Sequence, residues 1–183
     1  MEAGNKMNTV LENIRTRRSI RSYKPDAVPR ELLDRIAEAG LCAASGMNRQ
    51  STIILEVTDK NLRDRLSRMN AAVMGREGTD PFYGAPALFV VLGLKEFPTY
   101  LYDGSLAMGN MMLEAHELGL GSCWIHRAKE EFETPEGREI LRSLGVKGDC
   151  EGIGHLIVGY IDGDYPEPKP RREGRLFIAS DDK

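Results

Sequence analysis

Apolar residues recur at helical spacing in several stretches of the chain. Met7, Val10, Leu11 and Ile14 share one face of a helix expected over 7–16. Pro29 opens a second helix, because proline suits a first helical position. Leu32, Leu33, Ile36, Ala37 and Leu41 form its apolar face, opposite Glu31, Asp34, Arg35 and Glu38. Asp59 caps a third helix through Asn70, with Leu62, Leu66 and Met69 turned inward. A long helix fits between Pro98 and Gly119. Its apolar residues cover most of the circumference, which marks a buried central helix or one shared with a partner subunit. Thr134-Pro135 starts another helix as cap and first turn, and Gly145 ends it.

Between these helices the period changes. Thr52–Val57 is rich in β-branched residues and reads as a strand. Ala87–Gly93 is a continuous apolar run, as in strands covered on both faces. Ser122–Ile125 and Ile153–Tyr160 complete the strand set. The irregular stretch Ala71–Tyr83, with Gly75, Gly78 and Pro81, is the expected mobile or lid-like segment. Prolines 166, 168 and 170 make Pro166–Lys183 an extended tail. Within it, Leu176-Phe177-Ile178 has the makings of a short edge strand, here or on a neighbouring subunit. The expectation is one α+β domain over 1–183 with a sheet of four to five strands.

Hydrophobic residues make up 41% and charged residues 29%, an ordinary folded composition. The formal net charge of -3 argues against a general nucleic-acid binder. No apolar run reaches transmembrane length, and the first residues lack an apolar signal core. Cys42, Cys123 and Cys150 are too far apart in sequence for a zinc or disulfide pattern, and read as free thiols of a cytoplasmic protein.

Against this mildly acidic background, Arg15–Arg21 stands out. Four arginines and two hydroxyls fall within seven residues. A guanidinium is permanently charged and presents a planar fork of donors suited to phosphate oxygens. A second basic group, Lys169, Arg171 and Arg172, lies near the other end of the chain. If the fold joins the two ends, they form one phosphate clamp; the alternative is a solvated basic surface. No Gly-x-Gly-x-x-Gly, phosphate loop or Gly-x-Ser-x-Gly is present. His116, His126 and His155 lack metal-like spacing, and His155 is expected to be structural.

Arg17-Arg18-Ser19-Ile20-Arg21 with Tyr23, then Val28-Pro29, then Ala44–Gln50, resembles the opening of the FMN-dependent nitroreductase family. Gly84-Ala85-Pro86-Ala87, Gly119–Ile125, Gly159-Tyr160 and Lys169-Pro170-Arg171 are similar to later family segments, in order, from about Val10 to Phe177. Ser51 and Thr52 stand where the family often has Pro-Trp, and Ala44 where it often has proline, so the substrate wall departs from the pattern.

The resemblance implies a mostly antiparallel sheet and a homodimer built around the long central helix, with two FMN sites at the interface. Arg17, Arg18, Ser19 and Arg21 would hold the phosphate and ribityl chain. Lys169 and Arg171 would complete the clamp, with Arg172 a substitute and Arg15 outside it. Gly46, Asn48 and Gln50 would reach the flavin from the other subunit, and Leu120, Gly121 and Ser122 would approach its ring through backbone. The implied reaction is ping-pong hydride transfer through flavin N5 from NADH or NADPH to a nitroaromatic or quinone, with no catalytic side chain named and no metal, nucleic-acid or membrane partner. Reductive dehalogenation, oxygen chemistry and FMN storage are the alternatives.

Overall fold

The computed structural model describes residues 9–179, so Met7 of the first expected helix lies outside the described residues. Six α-helices and four strands follow in the order α1 (Thr9–Thr16), α2 (Arg30–Leu41), β1 (Thr52–Val57), α3 (Lys60–Val73), β2 (Ala87–Leu94), α4 (Tyr100–Glu117), β3 (Gly121–Ile125), α5 (Ala128–Glu133), α6 (Pro135–Ser143) and β4 (Cys150–Gly159). The sheet order is β1-β2-β4-β3, and every pairing is antiparallel.

Strand β2 shows why the chain makes three layers. Successive side chains of a strand point to opposite faces. Ala87, Phe89 and Val91 pack with Leu33 and Ile36 of α2 and Met108 and Met111 of α4. Leu88, Val90 and Leu92 pack on the other face with Leu66 of α3, Phe132 of α5 and Ile140 of α6. Each fully buried aliphatic side chain contributes about 1.5–3 kcal/mol. A bulge opposite Val91 and Leu92 inserts Ile153 into β4, which keeps Ile153 on the α2/α4 face and frees Gly152 to lie against the backbone of α5.

Several local expectations shift. Pro29 caps α2 instead of occupying its first turn. Helix α3 runs on to Val73, and Ala71 is buried. Past that helix, Asp80 accepts hydrogen bonds from Ser67 Oγ, the Phe82 N–H and the Gly84 N–H, and pairs with the buried Arg63; Phe82 is fully buried. Helix α5 follows Arg127 in the left-handed conformation and has too few residues to show a period. Leu176, Phe177 and Ile178 form no strand in this chain; they are 81%, 89% and 80% exposed.

His155 is fully buried, as expected of a structural histidine. Its hydrogen bonding departs from that expectation: Nε2 lies 3.3 Å from Glu131 Oε2, but neither ring nitrogen has a hydrogen-bond partner among the described residues.

Candidate functional site

Helix α1 ends where Arg17 N donates to Asn13 O at 2.9 Å. The chain then runs along the free edge of β3. Ser19 bridges Ser122 in parallel, and Ile20 N donates to Ser122 O at 3.0 Å. Lys24 N–Tyr160 O (2.9 Å) and Asp162 N–Ser22 O (3.1 Å) bind the next residues to the strand end of β4. Ile20 and Tyr23 are buried anchors, and Tyr23 donates its hydroxyl to Ile20 O at 2.7 Å. Burial pushes the Tyr23 phenol up, so it stays a neutral donor. With Ile20 and Tyr23 turned inward, Arg21 is left exposed and Arg17 and Arg18 are half-buried.

Arg17, Arg18, Ser19 and Arg21 meet Pro166, Glu167, Pro168, Lys169, Pro170 and Arg171 across one cleft of about 340 Å³. The fold thus joins the two basic ends of the chain, without Arg172 or Arg15. Arg18 Nη1 is turned back onto Arg15 O (2.7 Å) and Arg17 O (2.8 Å). Arg17 Nη1 and Arg18 Nε are buried and have no hydrogen-bond partner. Buried guanidinium donors without acceptors are costly, and an anion with several oxygens removes that cost. The donor set therefore fits the phosphate of a flavin mononucleotide.

Leu120, Gly121 and Ser122 are buried next to this stretch. Glycine at 121 has a packing reason within the chain itself. A Cβ there would lie 2.9 Å from the side chain of Ile20, so glycine makes room for the anchor of the arginine segment.

Gly46, Asn48 and Gln50 lie elsewhere. A 3-10 turn, Gly46–Asn48, leads into β1. Asp103 of α4, 3% exposed, accepts from Gly46 N (3.0 Å), Ser51 Oγ (2.6 Å) and Thr99 Oγ1 (3.0 Å). Burial pushes this carboxyl up, but the bonds from Ser51, Gly46 and Thr99 outweigh it and hold it below its ordinary 3.8. Met47, Asn48 and Gln50 have φ of 52°, 53° and 50°, a left-handed conformation unusual for side chains of this kind. Such strain persists only where the surroundings impose it.

This loop enters β1 opposite Gly93, at one sheet edge. Ser122 lies on the other edge, level with Val158 and Ala87 at the far end of β2. Strand spacings put these corners about 25 Å apart. One chain therefore does not gather both sets of residues. Sequence reasoning also missed Asp103. It left a trace, as a carboxylate in the first turn of a helix whose apolar residues cover most of its circumference.

Among the described residues no group of three or more His, Cys, Asp or Glu could hold a metal ion, and no helix is long and apolar enough to cross a membrane.

The fold has known counterparts. A nitroreductase with bound FMN from Bacteroides fragilis superposes with a TM-score of 0.85 at 31% identity, covering 94% of this chain and all of that one. A Methanothermobacter thermautotrophicus protein whose name pairs NADH dehydrogenase with NAD(P)H nitroreductase is 34% identical over 119 residues, 63% of this chain and 59% of that protein. An iodotyrosine deiodinase from Thermotoga neapolitana is 28% identical over 187 residues, 91% of this chain and 96% of that protein. The nitroreductase family profile matches residues 14–160, from within α1 to the residue that follows β4, and the chain belongs to the nitroreductase family.

Proposed function

We propose that the chain is an NAD(P)H-dependent FMN oxidoreductase that acts as a homodimer on small acceptors such as nitroaromatics or quinones. The carrying observation is the pair of buried, unpartnered donors, Arg17 Nη1 and Arg18 Nε, in a cleft shared with Lys169 and Arg171. Those residues, with Ser19 and Arg21, hold the phosphate and ribityl end. The Leu120–Ser122 backbone borders the ring. Bound FMN supplies the redox chemistry, taking a hydride from NAD(P)H and passing two electrons to the acceptor. The protein binds, orients and excludes water, and no side chain is assigned a proton-transfer role.

The dimer reading rests on two features of the single chain. Gly46, Asn48 and Gln50 lie at the corner of the sheet remote from the clamp. The apolar face of α1 is uncovered, with Val10, Leu11 and Ile14 exposed, as are Leu101, Tyr102 and Leu106 of α4. A second copy docked on α1 and α4 covers this surface and brings its own Gly46–Gln50 loop to the flavin. Three free cysteines suit a reducing cytoplasm.

The visible spectrum of the purified protein tests the cofactor. Anaerobic titration with NADH and with NADPH tests the reductant, and bound flavin that neither reagent bleaches would sink the reductase reading. The deiodinase relative, aligned over nearly its full length, is the reason to include halogenated phenols among the acceptors tried.

A further inference from the structure

The tail that carries Lys169 and Arg171 is poorly equipped to hold itself in place. Pro166, Pro168 and Pro170 have no N–H to offer a strand or turn. Among the described residues, the hydrogen bonds between 163–171 and the rest of the molecule all run through Tyr165. Its hydroxyl accepts from Arg18 N at 2.9 Å and donates to Thr16 O at 3.0 Å, so it clasps the backbone on both sides of Arg17.

His116 of α4 completes the arrangement. Its ring stacks on Tyr165 with centroids 5.9 Å apart and planes 23° apart. Thr16 Oγ1 donates to Glu12 O at 2.8 Å, so its 2.9 Å contact with His116 Nε2 is the histidine N–H donating to it. The Tyr165 hydroxyl has one proton, given to Thr16 O, so His116, with Nδ1 3.3 Å away, holds the tyrosine through the ring stack and not through a second hydroxyl bond. Burial, then the charges of Arg17 and Arg18, work against protonation of His116, while Glu117 favours it.

We infer that Tyr165 and His116 are positioning residues that fasten the C-terminal wall of the phosphate clamp to its N-terminal wall, and so determine preference for phosphorylated over unphosphorylated flavin. Neither side chain lines the cleft itself. Both act on Arg17, Lys169 and Arg171, and the inference rests on the FMN reading of that cleft. A phosphate-free flavin keeps the ring and ribityl contacts and gains nothing from the clasp.

The test is titration of the full-length protein, freed of flavin, with FMN and separately with riboflavin, followed by flavin fluorescence. Tyr165→Phe keeps the ring and removes the hydroxyl. His116→Phe keeps the stack and removes the bond to Thr16. Tyr165→Phe is expected to weaken FMN about tenfold, as for the loss of one or two hydrogen bonds, and to leave riboflavin unchanged. His116→Phe is expected to act the same way, more weakly. Equal loss for both flavins, or no loss for FMN, overturns the clasp. Wild-type protein that binds riboflavin as well as FMN overturns the phosphate-clamp reading itself, a result separate from an unaffected variant of a protein that does discriminate.

Discussion

Ser51 donates its hydroxyl to Asp103 at 2.6 Å, tying the residue before β1 to the first turn of α4 across 52 positions of sequence. The same carboxylate holds Gly46 N. One buried anion thus fixes both ends of the Gly46–Gln50 loop, whose positive φ values need such support.

Asp103→Ala leaves the Gly46 N–H and the buried Ser51 hydroxyl without their acceptor. The expected cost is about 2–3 kcal/mol, read from urea unfolding. The pH dependence has a definite sign. The folded carboxyl is held below its ordinary 3.8, so its contribution is complete above that value and is lost as pH falls through the lower folded one. Wild-type stability should therefore drop more steeply below about pH 4 than that of Asp103→Ala; parallel profiles would contradict the assignment.

Replacing Arg17 or Arg21 by alanine removes a fixed cation from the clamp. FMN affinity should fall by about 2 kcal/mol or more per arginine, and the remaining binding should depend less on salt. The check is FMN retained after gel filtration at low and high ionic strength. Unchanged flavin content would place the phosphate elsewhere.

Gly121→Ala tests how the arginine stretch is held. The added methyl meets Ile20 at 2.9 Å, within the segment that carries Ser19 and Arg21 along β3. Thermal stability and FMN affinity should fall together. A variant with native stability and weakened FMN would instead favour direct contact of residue 121 with the flavin.

In helix α5, Glu131 binds the side-chain amide of Asn70 and lies beside His155, all three fully buried. Glu131→Ala removes one acceptor of the buried Asn70 amide, which keeps its bond to His126 O, and should cost about 1–3 kcal/mol, measured by denaturant unfolding. Because none of these three residues lines the clamp cleft, FMN affinity of the folded variant should stay near that of the wild type.

Leu106 is 53% exposed in the single chain, on the α4 face assigned to the partner. Leu106→Glu should shift the mass in sedimentation analysis from dimer to monomer. It should also lower flavin content, because the partner's Gly46–Gln50 loop is lost with the interface. A monomer that keeps its FMN would show that one chain suffices.

The layered α+β architecture was legible because strand and helix periods are local. Ala87–Gly93 carries apolar residues on both faces and became the strand covered on both sides. Thr134-Pro135 behaved as written, with Thr134 Oγ1 accepting from Gly137 N at 3.0 Å. Helix α5 was invisible because six residues span less than two helical turns. Leu176-Phe177-Ile178 looked strand-like because a row of apolar residues does not say whether a neighbour is there to pair with it.

The amino-acid order by itself determined the chemistry: which guanidinium groups exist, where the chain can bend, and which runs must be buried. Tertiary structure decided what those groups could do together. Lys169 and Arg171 stand beside Arg17 because β4 ends at the corner where β3 begins, and Tyr165 bonds the tail to the backbone there. The Gly46–Gln50 loop is remote from them because β1 lies at the opposite edge. Sheet order and edge position arise from long-range burial, which residue spacing along the chain does not encode.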